Sequence, residues 1–542
     1  MGTGVRVSKA AVEVAVVAFF VAGSIGFTYP LVTGLDRLVT DHADPLVSAW
    51  TISWDVHQLL LDPLHLFDAN IFHPEAGTLG FSESFLGVAI LAAPVELLFR
   101  SPVLTHNVAL VLLVALSGYT SYRLGAQATG SRLAGLVAGS FFAFTPYRLG
   151  HLSHLALQTS GFIPAVFLSV SRYCESRRAL WLGALALSLW WVTASCGYYG
   201  VFTGIALGVV IPWELLRNSG SRLLRDSILM GGTLALTALC LWPLARPYLR
   251  IQREFGFSRP VARLVPASAH LHSYARSNAS WHQSLGLPGA NAEQALFPGV
   301  ALTLLAFAGL FALDRRTALY AVLGSLAFWA SLGPAAGLYR LLHGLIPGVS
   351  GLRVPARFSI LVFLALSILA GAAVAALAKR TGARGRALLV LLAVLPLAET
   401  WTTRKGFVAA PVDAPASEPF LASATPLDAA VAHLPMPHER ENISGNAVYM
   451  LWSTLHFRPM VNGYSTFTPP SFYEAARALE PFPDDASFAL LRNRGVEYVV
   501  LHKDRYLRER ARELMEKIAA DRRVEVVLED DEVAVLRLKA AS

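Results

Sequence analysis

Along its first 400 or so residues the chain repeats one pattern, apolar runs of about 15 to 22 residues broken by short, arginine-rich joints. The runs fall at 11–32, 105–122, 133–147, 155–171, 179–195, 198–216, 228–245, 296–313, 317–333, 358–378 and 387–402. Two of them, 133–147 and 387–402, are short for a hydrocarbon core of about 30 Å. A further apolar stretch, 84–99, is interrupted by Pro94 and carries Glu96. Leaving that stretch in the outer interface places Arg123/Arg132, Arg172/Arg177/Arg178, Arg217/Arg222/Arg225, Arg315/Arg316 and Lys379/Arg380/Arg384/Arg386 on the side of Arg6 and Lys9. The positive-inside rule selects that arrangement. It predicts eleven spans, the N-terminus inside and the C-terminus outside, with the first run an uncleaved signal anchor.

Beyond residue 404 the pattern becomes that of a soluble domain. Residues 496–502 read as a strand, 504–521 as a charged amphipathic helix, and 523–529 with 532–538 as a hairpin around Glu529-Asp530-Asp531. The expected fold class is an α-helical polytopic membrane protein with a small C-terminal α/β domain. The expected domains are a transmembrane module over 1–403, with an external loop at 33–104 containing in-plane helices, and an external domain over 404–542.

Composition sharpens this picture. The chain is 54% hydrophobic and 15% charged, with a mean hydropathy of +0.49, where a soluble protein carries about 25% charged residues. The formal charge of +8 sits largely in the joints between runs, so it records topology and argues against a nucleic-acid partner. Cys174, Cys196 and Cys240 show no metal-ligand spacing. There is no glycine-rich phosphate loop, dinucleotide fingerprint, H-E-x-x-H or nucleophile elbow.

The external regions differ in charge. The first loop is acidic, whereas the loops at about 246–295 and 334–357 are basic. Asp41-His42-Ala43-Asp44-Pro45 follows the first span. A carboxylate there suits a general base toward a hydroxyl, and Asp44-Pro45 also reads as a helix start. Asp44 and Asp41 are therefore the candidate catalytic residues. With His42 they also form a possible divalent-cation set, although their spacing is not diagnostic, and no cofactor is firmly expected. Trp50, Trp54, His57 and Leu61 form one stripe, suited either to the headgroup region or to packing. Arg148 is a candidate phosphate ligand, and His151 with His154 reads as interfacial hydrogen bonders or as metal ligands. Arg353 and Arg357 suit bidentate phosphate recognition, with Glu293 as partner of one of them or as an acceptor contact.

This arrangement resembles the GT-C superfamily of membrane glycosyltransferases, in particular the bacterial proteins related to protein O-mannosyltransferases and the YfhO-like group. The resemblance rests on Asp41 to Asp44, Trp50 to His57, Asp68-Ala69-Asn70-Ile71-Phe72 and Arg353 to Phe358. It covers residues 10–400 in architecture and the first 160 or so in motif, and the family's carboxylate pair is matched only loosely. It implies sugar transfer from a polyprenyl-phosphate donor to an acceptor on the external face, usually with inversion. Asp44 would be the base, and external arginines would hold the departing phosphate. The implied setting is the bacterial inner membrane, among its lipids, with the C-terminal domain periplasmic and the acceptor unspecified. The rival reading is a non-catalytic transporter or flippase of lipid-linked saccharides. Charges at span ends rather than at the midplane favour the enzyme.

Overall fold

A computed structural model describes residues 8–256, 260–346, 348–401 and 406–539. The chain is mostly helical, and its described residues fall into two compact units. One comprises residues up to 33 together with 109–406, and the other comprises 34–108 together with the chain from 407 onward. The boundary drawn at 403/404 lies outside the described residues, as does Arg6.

The first unit is an apolar helical bundle. Among the described residues five helices are long and apolar enough to cross a membrane: Lys9–Thr28, Pro102–Thr129, Gly197–Asn218, Gly220–Glu254 and Pro355–Arg380. They match five of the eleven expected runs. The other runs form shorter or broken helices. The run at 155–171 is split by a 3-10 turn at Thr159–Gly161, and its main helix starts at Phe162, with Pro164 in the first turn where its missing N–H costs nothing. The run at 387–402 breaks before Pro396, leaving the short helix Leu395–Trp401. The chain is a multi-pass membrane protein.

Ser359–Arg380 is the central helix of this unit and is almost wholly buried. It packs with Val300–Leu310 and Arg132–Ala143 through Ala134, Val137, Phe141, Leu302, Ala370 and Val374. A Cβ on Gly309 would run into the Leu369 carbonyl. Small residues let helix backbones approach closely in an apolar solvent, where burial supplies no extra attraction.

The second unit is mixed. A four-stranded sheet runs in the order Ala430–Leu434, Val496–His502, Val533–Leu538, Val524–Glu529. Its first pair is parallel and the others are antiparallel. The expected strand, helix (Arg508–Ala520) and hairpin are present. The strand Ala430–Leu434 was not foreseen. It is buried along its whole length, so it carries no alternation to read.

Helix Asp44–Leu61 packs on Asn446–Ser453 and on Leu86–Phe99. Leu86–Phe99 has 14 residues. At about 1.5 Å per residue it is too short for a core of about 30 Å. A strip at 459–462 joins two parts of this unit. One edge bonds Val431, and the other exchanges backbone hydrogen bonds with Asn70, Phe72 and His73. Phe72 adopts a φ of +60°. Its ring fills the space a Cβ on Gly463 would need, so a glycine is required there.

Candidate functional site

In the second unit, the acidic segment is built around the start of helix Asp44–Leu61. Asp44 is the first helical residue, followed by Pro45, and Ala43 takes the cap position without a side-chain bond. The carboxylate thus lies in the first turn, where the helix dipole favours negative charge. Asp41 Oδ1 accepts the Ala43 amide at 2.9 Å, and both Asp41 and Asp44 are half-buried. His42 is exposed, with its Nε2 2.6 Å from the Ala409 carbonyl. Asp41 is within electrostatic reach of the buried His106, which the sequence reading had not singled out.

The aromatic stripe proves to be packing. Trp50 and Trp54 are buried, and their indole N–H groups donate to Asn70 Oδ1 at 3.1 Å and to the Leu66 carbonyl at 2.9 Å. His57 stacks on Phe457 with ring centroids 4.1 Å apart, and its partial burial lowers its pKa. The exposed apolar edge of this helix is instead its C-terminal end, Leu60 and Leu61, followed by Leu64. Glu96 accepts Ser53 Oγ at 2.7 Å and Thr105 Oγ1 at 2.6 Å. Asp55 is fully buried, and neither of its oxygens has a hydrogen-bond partner among the described residues. Burial pushes its carboxyl well above the usual range. Sequence position alone gave no sign of this.

In the first unit, Glu293, Arg357 and His151 converge. The Arg357 guanidinium donates twice to Glu293 Oε1, at 2.9 and 2.5 Å. His151 Nε2 lies 3.5 Å from Glu293 Oε2, while its Nδ1 donates to the Tyr147 carbonyl at 2.8 Å. That carbonyl fixes the tautomer, so Nε2 faces the carboxylate as a donor only when the ring is charged. Burial would raise the Glu293 carboxyl. The His151 contact and the Arg357 charge outweigh it and hold the group below the usual carboxylate range. The guanidinium also lies 4.9 Å over the Tyr198 ring.

Arg353 is exposed, and its backbone N–H donates to Tyr198 Oη at 2.7 Å. His154 sits beside His151, with ring centroids 5.6 Å apart. Arg148 is buried at 1% exposure. Its donors go to the Phe142 carbonyl at 3.0 Å, Gln158 Oε1 at 3.2 Å and Ser160 Oγ, so it ties the end of the preceding helix to the segment 158–160.

Neither the Asp41–His42–Asp44 segment nor the His151/His154 pair gathers three cation ligands. Among the described residues the group that does is Glu418, His433 and His456, whose ligand atoms lie within 4.8 Å of one another. They are scattered over residues 418–456 at no recognisable spacing.

No protein-family model matches this sequence, and no curated protein matches it. Solved structures do. The arabinofuranosyltransferase AftD from Mycobacteria matches over 99% of this chain with a TM-score of 0.62 at 16% identity. A structure of a point variant of the same enzyme gives 0.60 at 17%. This chain spans 40% of the length of AftD. ArnT from Cupriavidus metallidurans, determined with undecaprenyl phosphate, aligns over 98% of both chains at a TM-score of 0.48 and 15% identity. The chain therefore shares the fold of the part of AftD that it matches.

Proposed function

We propose that the protein transfers a sugar from a polyprenyl-phosphate donor to an acceptor hydroxyl on the external face of a bacterial inner membrane. The observation that carries this reading is a fold shared with an arabinofuranosyltransferase over 99% of the chain. The acidic segment and the arginines supply the chemistry. Asp44 takes the proton of the acceptor hydroxyl as its oxygen bonds to the anomeric carbon. The bond from that carbon to the phosphate oxygen breaks, and the polyprenyl phosphate leaves with the electron pair. Asp41, which accepts the Ala43 amide, holds the turn that presents Asp44. Arg353 is the phosphate ligand of choice, being exposed and without an ion-pair partner among the described residues. Arg357 already neutralises Glu293, so it acts by fixing that carboxylate and the Tyr198 platform beside Arg353. His57, His151 and His154 would line the acceptor or donor path. Arg148 would brace the turn that carries the two histidines.

The test is transfer of radiolabelled sugar by the purified full-length chain in lipid nanodiscs, using a panel of polyprenyl-phosphate pentoses and hexoses with cell-envelope acceptors. Transfer is expected for one donor. Asp44→Asn should lower kcat by at least about 100-fold, the lower end of general-base effects. Full activity in Asp44→Asn would overturn the assignment of the base, and no transfer from any donor would overturn the enzyme reading.

A further inference from the structure

Three buried ligand-type side chains outside the proposed reaction converge from three different elements of the second unit. Glu418 comes from helix Ser417–Ala424, His433 from strand Ala430–Leu434, and His456 from the turn after helix Asn446–Ser453. Glu418 and His433 have no exposure at all, and His456 has 5%. A buried carboxylate normally has a lysine or arginine against it, because an isolated charge in a low-dielectric interior is costly. Among the described residues none is within ion-pairing distance of Glu418. Its neighbours at that range are His456 Nε2 at 3.0 Å and His433 Nδ1 at 3.9 Å. Ser417 Oγ donates to Oε1 at 2.8 Å.

We propose that Glu418, His433 and His456 form a structural site for a divalent transition-metal ion of zinc-like preference. Imidazole nitrogen with one carboxylate is a donor set for such ions. Bonds of about 2.0–2.2 Å in a tetrahedral site place donors roughly 3.3–3.6 Å apart, and 3.0 and 3.9 Å bracket that spacing. His502 Nε2 stands 3.1 Å from His433 Nδ1 and is next in line as a fourth donor. The His433 ring is held in place before any ion arrives. Asn462 bonds its backbone N–H and C=O at 2.7 and 2.9 Å, and the ring stacks on Tyr449 at 5.0 Å. Its Nε2 is buried and has no hydrogen-bond partner among the described residues, so the N–H it carries when Nδ1 binds an ion lacks the usual acceptor.

Two contacts oppose the ion, the first being the His433 Nδ1–His502 Nε2 hydrogen bond, whose proton must leave the site on loading. His456 Nδ1 accepts the Arg458 amide at 2.8 Å, so the neutral ring carries its proton on Nε2 and donates it to Glu418. Loading moves that proton to Nδ1 and forfeits the amide bond. Two hydrogen bonds are small against three metal–ligand bonds, one of them to an otherwise uncompensated carboxylate. The site is closed, with no exposed ligand, so the ion holds structure and activates no water. It ties the sheet to the strip 456–462, whose far edge bonds Asn70, Phe72 and His73.

The test uses the full-length chain without a histidine tag, in detergent, stripped by a chelator and titrated with zinc chloride or cobalt(II) chloride. One equivalent should bind, with a tetrahedral cobalt absorption spectrum, and zinc should raise the thermal midpoint by about 5 °C or more. Glu418→Gln keeps the side-chain volume, and zinc affinity should fall at least about 100-fold, beyond the usual cost of losing an outer-shell partner. No uptake by the stripped wild type overturns the proposal, and so does equal uptake by wild type and Glu418→Gln. If Glu418→Gln fails to fold, the wild-type cobalt titration decides: one tetrahedral equivalent supports the site, and its absence overturns it.

Discussion

Glu293 and Glu418 are both withdrawn from water and both face histidine, yet their surroundings differ in one respect. Glu293 meets the Arg357 guanidinium at 2.5 Å, whereas Glu418 meets imidazoles and a serine hydroxyl. A guanidinium closes the electrostatic account of its carboxylate and leaves a rigid, neutral platform. Imidazoles, unlike a guanidinium, can satisfy the hydrogen bonds of a carboxylate without a fixed charge, which leaves the set receptive to a cation. The same residue type thus serves as a fixed support in one unit and as a proposed ligand in the other, and the neighbouring side chain decides which.

The comparison breaks most visibly at the arginine. Arg357→Ala leaves Glu293 without its counter-charge. A fully buried pair broken in this way costs about 3–5 kcal/mol, and about 2–3 kcal/mol is expected here because Glu293 is partly exposed. Thermal unfolding in detergent should show the loss, and restoration of most of it by Arg357→Lys would show that charge matters more than fork geometry.

A smaller effect comes from acid. The folded-state pKa of Glu293 is depressed, so its stabilisation is fully present above the unfolded value near 4.5 and is lost as pH falls below it. Wild-type stability should drop on acidification from pH 5 to 3 more steeply than that of Glu293→Gln, by up to about 1.4 kcal/mol per pH unit. Parallel curves would show that the pair contributes nothing.

The smallest effect carries the opposite sign and sharpens the contrast. Among the described residues Asp55 has neither arginine nor histidine against it, and burial raises its pKa. Its unfolded form ionises above about pH 4, so folding takes up a proton and grows less favourable as pH rises toward the folded value. Asp55→Asn removes that dependence. It should stabilise the chain by about 0.5–1 kcal/mol at pH 8 and by less at pH 5. Destabilisation at both pH values would mean that the carboxylate has a partner beyond the described residues.

How far the site could be read in advance follows from how local each signal is. Asp44-Pro45 announces a helix start within two residues, and the helix begins there. Arg353 and Arg357 stand out because two guanidiniums next to an apolar run need a reason, and the Arg357–Glu293 pair is the contact anticipated for one of them. The stripe Trp50, Trp54, His57 and Leu61 was correctly periodic but ambiguous in role. Periodicity shows which residues share a face, not what covers that face, and here Asn70, Leu66 and Phe457 cover the aromatic part. Span lengths were overestimated at 155–171 and 387–402, where a new helix starts just ahead of Pro164 and Pro396, because an apolar average does not register a helix boundary.

The sequence by itself determined the membrane setting, the helical class, the late sheet strands and the helix that carries Asp44. All of these follow from periodicity, run length and turn chemistry within a few residues. Tertiary structure decided what met what: that Glu293 gained an arginine, that Asp55 gained nothing, and that Glu418, His433 and His456 came together. Burial, charge compensation and ligand geometry depend on residues tens to hundreds of positions apart, and only the folded chain brings those within a few ångströms.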